Sequence, residues 1–462
     1  MENFLKGKKH VHFIGIGGSG MYPLAQILHT QGYYLTGSDN NETTTLEAVR
    51  SMGIPVMVGQ RAENIKGADL IVYSAAIMED NPELVAAREA KKNGVILRER
   101  SDLLGLVTSQ YKSNFCVSGT HGKTTVTSML TMILLAAGID ASAVIGGKLR
   151  AIGGSGRAGN SDYMVCEACE FKDTFLKLFP RYSIVLNIDR DHMDYFKNME
   201  NLKRSFRWFC EHTSDTVVAN GDDENVREVM STCVFKDKFV TFGKSADNDF
   251  YPEDIRLISD FRREFSLMHK GSELCRIGIN VPGLHNVYNA VAACAAAYSA
   301  GIPVSAMREG LEQFGGAMRR FERRAEINGI TIVDDYGHHP AEIAATLKTA
   351  KEMSFKRVWV IHQPFTYSRT SMLLDEFAEA LSIADRVVLT EIMGSREKNT
   401  YNIYSKDLAE KIDGCVWFPT FEEVARYAAE NLAAGDLVIT TGCGDVYKVA
   451  DMLIEILNGA EK

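Results

Sequence analysis

Ser118-Gly119-Thr120-His121-Gly122-Lys123-Thr124-Thr125 is the stretch whose reading decides the fold. Before it, Asn114-Phe115-Cys116-Val117 is an apolar run of strand length. After it, residues 126–136 stay almost wholly apolar and stop before Gly138, which predicts a buried helix. Strand, glycine loop, lysine, hydroxyl and helix form the layout that holds a nucleoside triphosphate. The glycines let backbone N–H groups turn toward phosphate oxygens, and the helix N-terminus adds partial positive charge. Lys123 is placed to reach the β- and γ-phosphates and the Thr124 hydroxyl to ligate magnesium. The usual spacing has a glycine at position 117. Here Val117 stands there, and the loop glycine is Gly119. A strand–helix corner that merely carries a lysine is the plainer alternative; the placement between strand and helix favours the nucleotide.

Working outward, 462 residues suggest about three domains. Apolar content of 45% and charge of 24% are those of an ordinary globular chain. The net charge of −9 argues against a nucleic-acid surface and against an anionic membrane surface. Nine cysteines, an odd number, point to reduced thiols and a cytoplasmic location. Cys166 and Cys169 form a C-x-x-C, but no second pair stands at zinc spacing. The N-terminus lacks the apolar core of a signal peptide, and no run is long enough to span a bilayer.

A second glycine loop lies near the N-terminus. Val11-His12-Phe13-Ile14 reads as a strand, Gly15-Ile16-Gly17-Gly18-Ser19-Gly20 fits G-x-G-x-x-G, and residues 21–30 read as a helix. The next strand ends at Ser38-Asp39, which puts an acid where a dinucleotide fold holds its ribose. Strands near 54–58, 70–74 and 95–97 and a helix near 82–92 continue a parallel α/β domain. This pattern predicts a bound diphosphate without choosing between NAD and a nucleotide-sugar.

In the middle region, strands at 163–166 and 182–188 lead to Glu167 and to Asp189-Arg190-Asp191-His192-Met193-Asp194. Acids at the carboxyl ends of parallel strands suit magnesium beside phosphate, and Glu167 and Asp191 are candidates. His192 is a less usual magnesium ligand, and from the residues alone a loop-capping histidine is the stronger reading. Residues 221–254 are polar and show no clear element. Asn286 and Asn289 stand one turn apart at the start of an alanine-rich helix, where capping is their simpler role. Past Gly315-Gly316, which reads as a hinge, the alternation resumes with strands at 330–335, 357–361, 386–389 and 437–441. Asp334-Asp335 are either an acid/base pair or loop caps. Adjacent strand residues point opposite ways, so at most one is expected to face a ligand.

The order of Phe13–Met21, Gly119–Thr125, Asn187–Asp194, Gly283-Leu284-His285-Asn286, Arg319-Arg320-Phe321 and Asp334–Pro340 resembles the Mur ligase family over essentially the whole chain. The resemblance explains the off-pattern loop, since G-T-H-G-K-T-T is that family's form. It implies three α/β domains. These are a Rossmann-like UDP-sugar domain over 1–107, a central P-loop mononucleotide-binding ATP domain over 108–316, and a Rossmann-like amino-acid domain over 317–462. It implies an ATP- and Mg2+-dependent ligase that joins UDP-N-acetylmuramate to L-alanine, as a monomer or homodimer, with a tripeptide-adding sibling as the alternative. Gly15, Gly17, Gly18, Ser19, Gly20, Asp39 and Ser74 would hold the UDP-sugar. Gly119, Thr120, His121, Gly122, Lys123, Thr124, Thr125, His285, Asn286 and Asn289 would hold ATP. Thr124, Glu167 and His192 would serve the metal, with Lys123, Glu167, His192, Arg320 and Asp335 catalytic. Arg320 and Asp335 would also meet the nucleotide, and His338 and Arg369 the alanine. Two stretches depart from the family's usual form: Cys169-Glu170-Phe171-Lys172, and His362-Gln363-Pro364-Phe365-Thr366. The first puts a secondary metal contact in question, the second the choice of amino acid. A dehydrogenase would leave the P-loop unemployed, and a P-loop switch protein would leave the first domain idle.

Overall fold

The computed structural model describes residues 3–395 and 397–459 and, of Asp194, the backbone alone. Among them three sheets form. The first is parallel, in the order Val56–Val58, Tyr34–Asp39, His10–Ile14, Leu70–Tyr73, Ile96–Glu99. Its central strand is covered on both faces, and Val11, Phe13 and Ile14 are fully buried. A strand so placed is expected to be apolar throughout. His12, equally buried, breaks that rule.

The second sheet has ten strands. Its parallel part runs Phe239–Phe242, Thr216–Asn220, Tyr182–Val185, Ser113–Ser118, Tyr163–Glu167, Ser142–Leu149. Ser113–Ser118 is central, so the loop that follows opens at the carboxyl ends of the strands, where α/β sheets bind ligands. The unassigned 221–254 region holds the helix Glu224–Thr232 and the strand Phe239–Phe242. Both edges depart from the expected alternation. Arg262–His269 pairs antiparallel with Ser272–Ile279, and Ser142–Leu149 with Gly154–Arg157. The first hairpin closes on Lys270 and Gly271, both at positive φ (48° and 80°), the tight turn that matches strand twist.

The third sheet runs Glu322–Ile327, Ile330–Asp335, Asp436–Thr441, Arg357–His362, Arg386–Leu389, Val416–Trp417. It is parallel except for its first pair, joined through Asn328-Gly329 in the same kind of turn. Val333, Leu347, Val360 and Phe377 pack on one face, and Ile332, Trp359, Val438 and Leu453 on the other.

The chain packs as two compact units. One comprises 1–258, 262–280 and 284–317, and the other 259–261, 281–283 and 318–462. The first two sheets share the first unit, and one apolar cluster runs through both, with Phe13 and Leu24 in the same core as Cys116 and Phe206. Among the described residues no helix is long and apolar enough to cross a membrane.

Candidate active site

The loop after Ser113–Ser118 bends where the two glycines allow it. Gly119 sits at φ +135° and Gly122 at φ +88°. A Cβ at Gly119 would lie 3.0 Å from Leu186 Cβ and 3.1 Å from Asn187 N, so side chains are excluded by both conformation and space. Asn187 holds the loop's shape. Its Oδ1 accepts His121 N (2.8 Å), its Nδ2 donates to His121 O (3.1 Å), and its carbonyl accepts Thr120 N (3.2 Å). Lys123 opens the helix Lys123–Ala136. Its ammonium donates to Gly119 O (2.5 Å) and to both oxygens of Glu170 (3.2 and 3.0 Å). Burial alone would push this ammonium down. The charge of the buried Glu170 and its hydrogen bond, with Cys169 and Glu167 adding to them, together outweigh it and hold Lys123 above the ordinary lysine value.

Thr124 is buried one residue further on. A Cβ on Gly147 would lie 3.0 Å from its methyl group, and one on Gly146 would strike the Glu167 carboxylate. Thr124 and Glu167 therefore border adjacent glycines, Gly147 and Gly146, of the strand Ser142–Leu149. Glu167 Oε1 accepts Gly146 N at 2.7 Å. His192 lies elsewhere in the site, at φ 54°, with its ring 4.6 Å from that of Phe171. Donor atoms of Glu170, Asp191 and His192 all fall within 4.8 Å of one another. Two carboxylates and an imidazole fit a divalent cation, with the oxygen donors suited to magnesium. Of the expected set only His192 belongs to this trio. Asp191 was the candidate drawn from strand-end placement, whereas Glu170 was missed, although its acid stands in the quoted stretch. The Cys166 thiol faces Cys116 at 3.6 Å, not Cys169, and all nine cysteines are free, so the C-x-x-C builds no site.

The first glycine loop is tied to the next strand. Gly15 N and Ile16 N donate to Ser38 O at 2.8 and 3.0 Å, and Gly17 N to Asp39 Oδ2 at 3.1 Å. The other oxygen of Asp39 accepts Asn40 N (2.8 Å), so this carboxylate braces the loop. A cavity of about 340 Å³ is lined by Gly18, Ser19, Gly20 and Ser74 on one side and by Gly146 and Glu167 on another. It thus joins the first loop to an acid of the P-loop site. Arg100 also lines it, with its guanidinium so near that a Cβ on Gly20 would meet Nη1 at 3.1 Å. No motif pointed to Arg100, because it approaches the loop only through the fold.

Asn289, on the helix Leu284–Ser299, lies against the P-loop: a Cβ on Gly122 would be 3.0 Å from its Oδ1. Its Nδ2 donates to the buried Asn286 (3.1 Å), while His285 is exposed.

The second unit gathers its own polar ends. Arg319 donates to Asp334 Oδ2 (2.8 Å) and Gly442 O (2.6 Å), between the rings of Tyr336 and Tyr447. Asp334 is thereby committed. Asp335 also spends its carboxylate locally, accepting from Phe321 N and Gly337 N, each at 2.8 Å. Arg320 lies half-exposed, 5.5 Å from the Tyr336 ring and 4.0 Å from Glu342. His338 Nδ1 is 3.2 Å from Tyr336 O and 3.4 Å from Glu342 Oε2. Burial pushes its imidazole below the ordinary value against the pull of Glu342, and Arg369 adds to the depression. Arg369 Nη1 is buried with no hydrogen-bond partner among the described residues, the mark of a donor awaiting an anion. His362 is fully buried, and its Nδ1 meets Thr441 Oγ1 at 2.9 Å. Burial pushes it down to about 3.

Three family descriptions cover the chain: "Mur ligase family, catalytic domain" over 10–112, "Mur ligase middle domain" over 117–297, and "Mur ligase, glutamate ligase domain" over 319–444. A UDP-N-acetylmuramate–L-alanine ligase of Agathobacter rectalis is 44% identical over 453 residues, 96% of this chain and 98% of its own. The chain belongs to the Mur ligase family. Another relative of the same name, from Acetivibrio thermocellus, is 43% identical, covering 97% of this chain and 96% of its own. The crystal structure of a UDP-N-acetylmuramate–alanine ligase from Thermotoga maritima superposes with a TM-score of 0.84 at 28% identity, over 98% of this chain and all of that one. A MurF ligase from Thermotoga maritima, solved in complex with ADP, shares the fold at 15% identity and TM-score 0.66, over the full length of both chains. The three sheets described above are thus the three-domain architecture of the Mur ligases, and the dehydrogenase and switch-protein readings fall away.

Proposed function

We propose that this Mur ligase uses ATP to join L-alanine to the lactyl carboxylate of UDP-N-acetylmuramate, a step of peptidoglycan precursor synthesis in the cytoplasm. The observation that carries the reading is the single cavity bordered by the Gly18-Ser19-Gly20 loop and by Glu167. A nucleotide-sugar held at the first loop would present its acid end toward the P-loop site. The near-full-length relatives named UDP-N-acetylmuramate–L-alanine ligase support the same substrates. The domains are proposed to divide at 107/108 and 316/317.

Amide formation from a carboxylate in water is uphill, so the carboxylate is first phosphorylated to an acyl phosphate, which the amine of alanine then attacks. Two anions must meet in the first step. Lys123, held in its loop by Glu170, would turn to the transferring phosphoryl group and offset that repulsion. Thr124, Glu167, Glu170, Asp191 and His192 are the residues that would hold magnesium. When bound, the ion would neutralise charge on the phosphates. We assign Arg369 to the carboxylate of alanine, from its buried unpartnered Nη1. His338 is the group that would take the amine's proton, since burial keeps its imidazole neutral while Asp335 is committed to backbone. Arg320 is left to face the nucleotide. Phosphate release measured with ATP, UDP-N-acetylmuramate and either L-alanine or the tripeptide tests the reading. Release with alanine alone is expected; release only with tripeptide would transfer the chain to the sibling activity.

A further inference from the structure

Below the first glycine loop lies a polar cluster inside an otherwise apolar sheet. Glu83 is fully buried on the helix Pro82–Ala90, near its start, where Asn81 Oδ1 accepts Glu83 N at 3.0 Å. The contacts of its carboxylate come from two neighbouring strands and from the turn at 61–64. Oε2 accepts Ser38 Oγ (2.5 Å) and lies 3.5 Å from His12 Nε2, with His12 itself buried. Oε1 accepts Arg61 N (3.3 Å) and the Asn64 side-chain amide. His12 Nδ1 in turn meets Thr36 Oγ1 at 2.8 Å, and that hydroxyl meets His10 Nε2, also at 2.8 Å. A carboxylate taken wholly out of water survives only with such a partner set. Apolar side chains of similar volume would hold the sheet together as well, so the cluster's distinctive property is the fixed geometry it imposes.

That geometry reaches the loop at Ser38. Its hydroxyl is held by Glu83, and its carbonyl accepts both Gly15 N and Ile16 N, the first two N–H groups of the loop. We propose that Glu83, outside the loop, is a positioning residue that sets the UDP-sugar cradle through Ser38. The inference rests on reading Gly15–Gly20 as that cradle. A shift of Ser38 would turn the loop's N–H groups away from the diphosphate while leaving the P-loop, on another sheet, in place.

The test uses the full-length enzyme as wild type, Glu83→Gln, Ser38→Ala and the double variant. KM for each substrate, kcat and the melting temperature are measured in the phosphate-release assay. Each single change is expected to raise KM for UDP-N-acetylmuramate about tenfold, with kcat and KM for ATP within about twofold. The double variant should lose no more than either single one, because both act along one path. A lowered melting temperature with unchanged KM, or equal shifts in KM for all three substrates, would overturn the proposal as mere structural support. If Glu83→Gln does not fold, Ser38→Ala carries the same test. A wild-type enzyme whose phosphate release ignores UDP-N-acetylmuramate would overturn the cradle reading first, and is told apart because the failure precedes any substitution.

Discussion

The Lys123 ammonium is clasped by Glu170 and by the carbonyl of Gly119, so its charge is fixed at the loop that carries it, where the proposed reaction needs it. Lys123→Ala is expected to cut ligation by about three orders of magnitude or more, while UDP-N-acetylmuramate still binds in calorimetry. Loss of both would indicate misfolding. His338 gives a pH signature. Its folded-state value is lowered, so the imidazole stays neutral to a pH below that of an ordinary histidine, and the acid limb of kcat should fall there. In His338→Gln that limb should vanish along with most of the activity. His362 acts on stability. Pushed down to about 3 from 6.5, it binds a proton in the unfolded chain but not in the folded one across that window. Stability is therefore complete above about pH 6.5 and is lost as pH falls toward 3, by up to about 1.4 kcal/mol per pH unit. Urea midpoints of wild type and His362→Gln against pH should differ in slope in that window.

At the scale of elements, the P-loop helix Lys123–Ala136 is held by close packing. Gly310, on the helix Val304–Glu312, approaches so tightly that a Cβ there would lie 2.6 Å from Ile133 Cα. Backbone cannot give way as a flexible side chain does. Gly310→Val should thus cost about 1–3 kcal/mol of stability or more, read as a lowered denaturation midpoint, and should weaken ATP binding through displacement of the helix. Two of the three antiparallel edge pairs close on tight turns whose sequence signals differ in strength. Asn328-Gly329 is a standard turn signal, both residues lying at positive φ. Lys270-Gly271 carries a weaker signal, since a lysine seldom adopts positive φ.

For the whole molecule, two glycine loops on two sheets are housed in one compact unit with a shared core. A ligase built this way should not spend ATP idly. Phosphate release without UDP-N-acetylmuramate is expected at under about one per cent of the complete reaction, since the acceptor carboxylate is what completes the phosphoryl-transfer site. The elements that place these loops were legible in the chain itself. The runs 11–14 and 114–117 are short and mostly apolar, each followed by glycines and then by a helix, and such local patterns follow from backbone conformation and periodicity alone. The resemblance to the Mur ligases adds expectations for Lys123, His192, His338 and Arg369 that local pattern alone does not supply. What remained hidden depends on distance along the chain. Glu170 meets Lys123 across 47 positions, Asn187 meets His121 across 66, and Glu83 meets Ser38 across 45. Nothing local distinguishes those side chains from surface acids and amides. Only burial, which removes water and leaves one partner within reach, decides what each is bonded to.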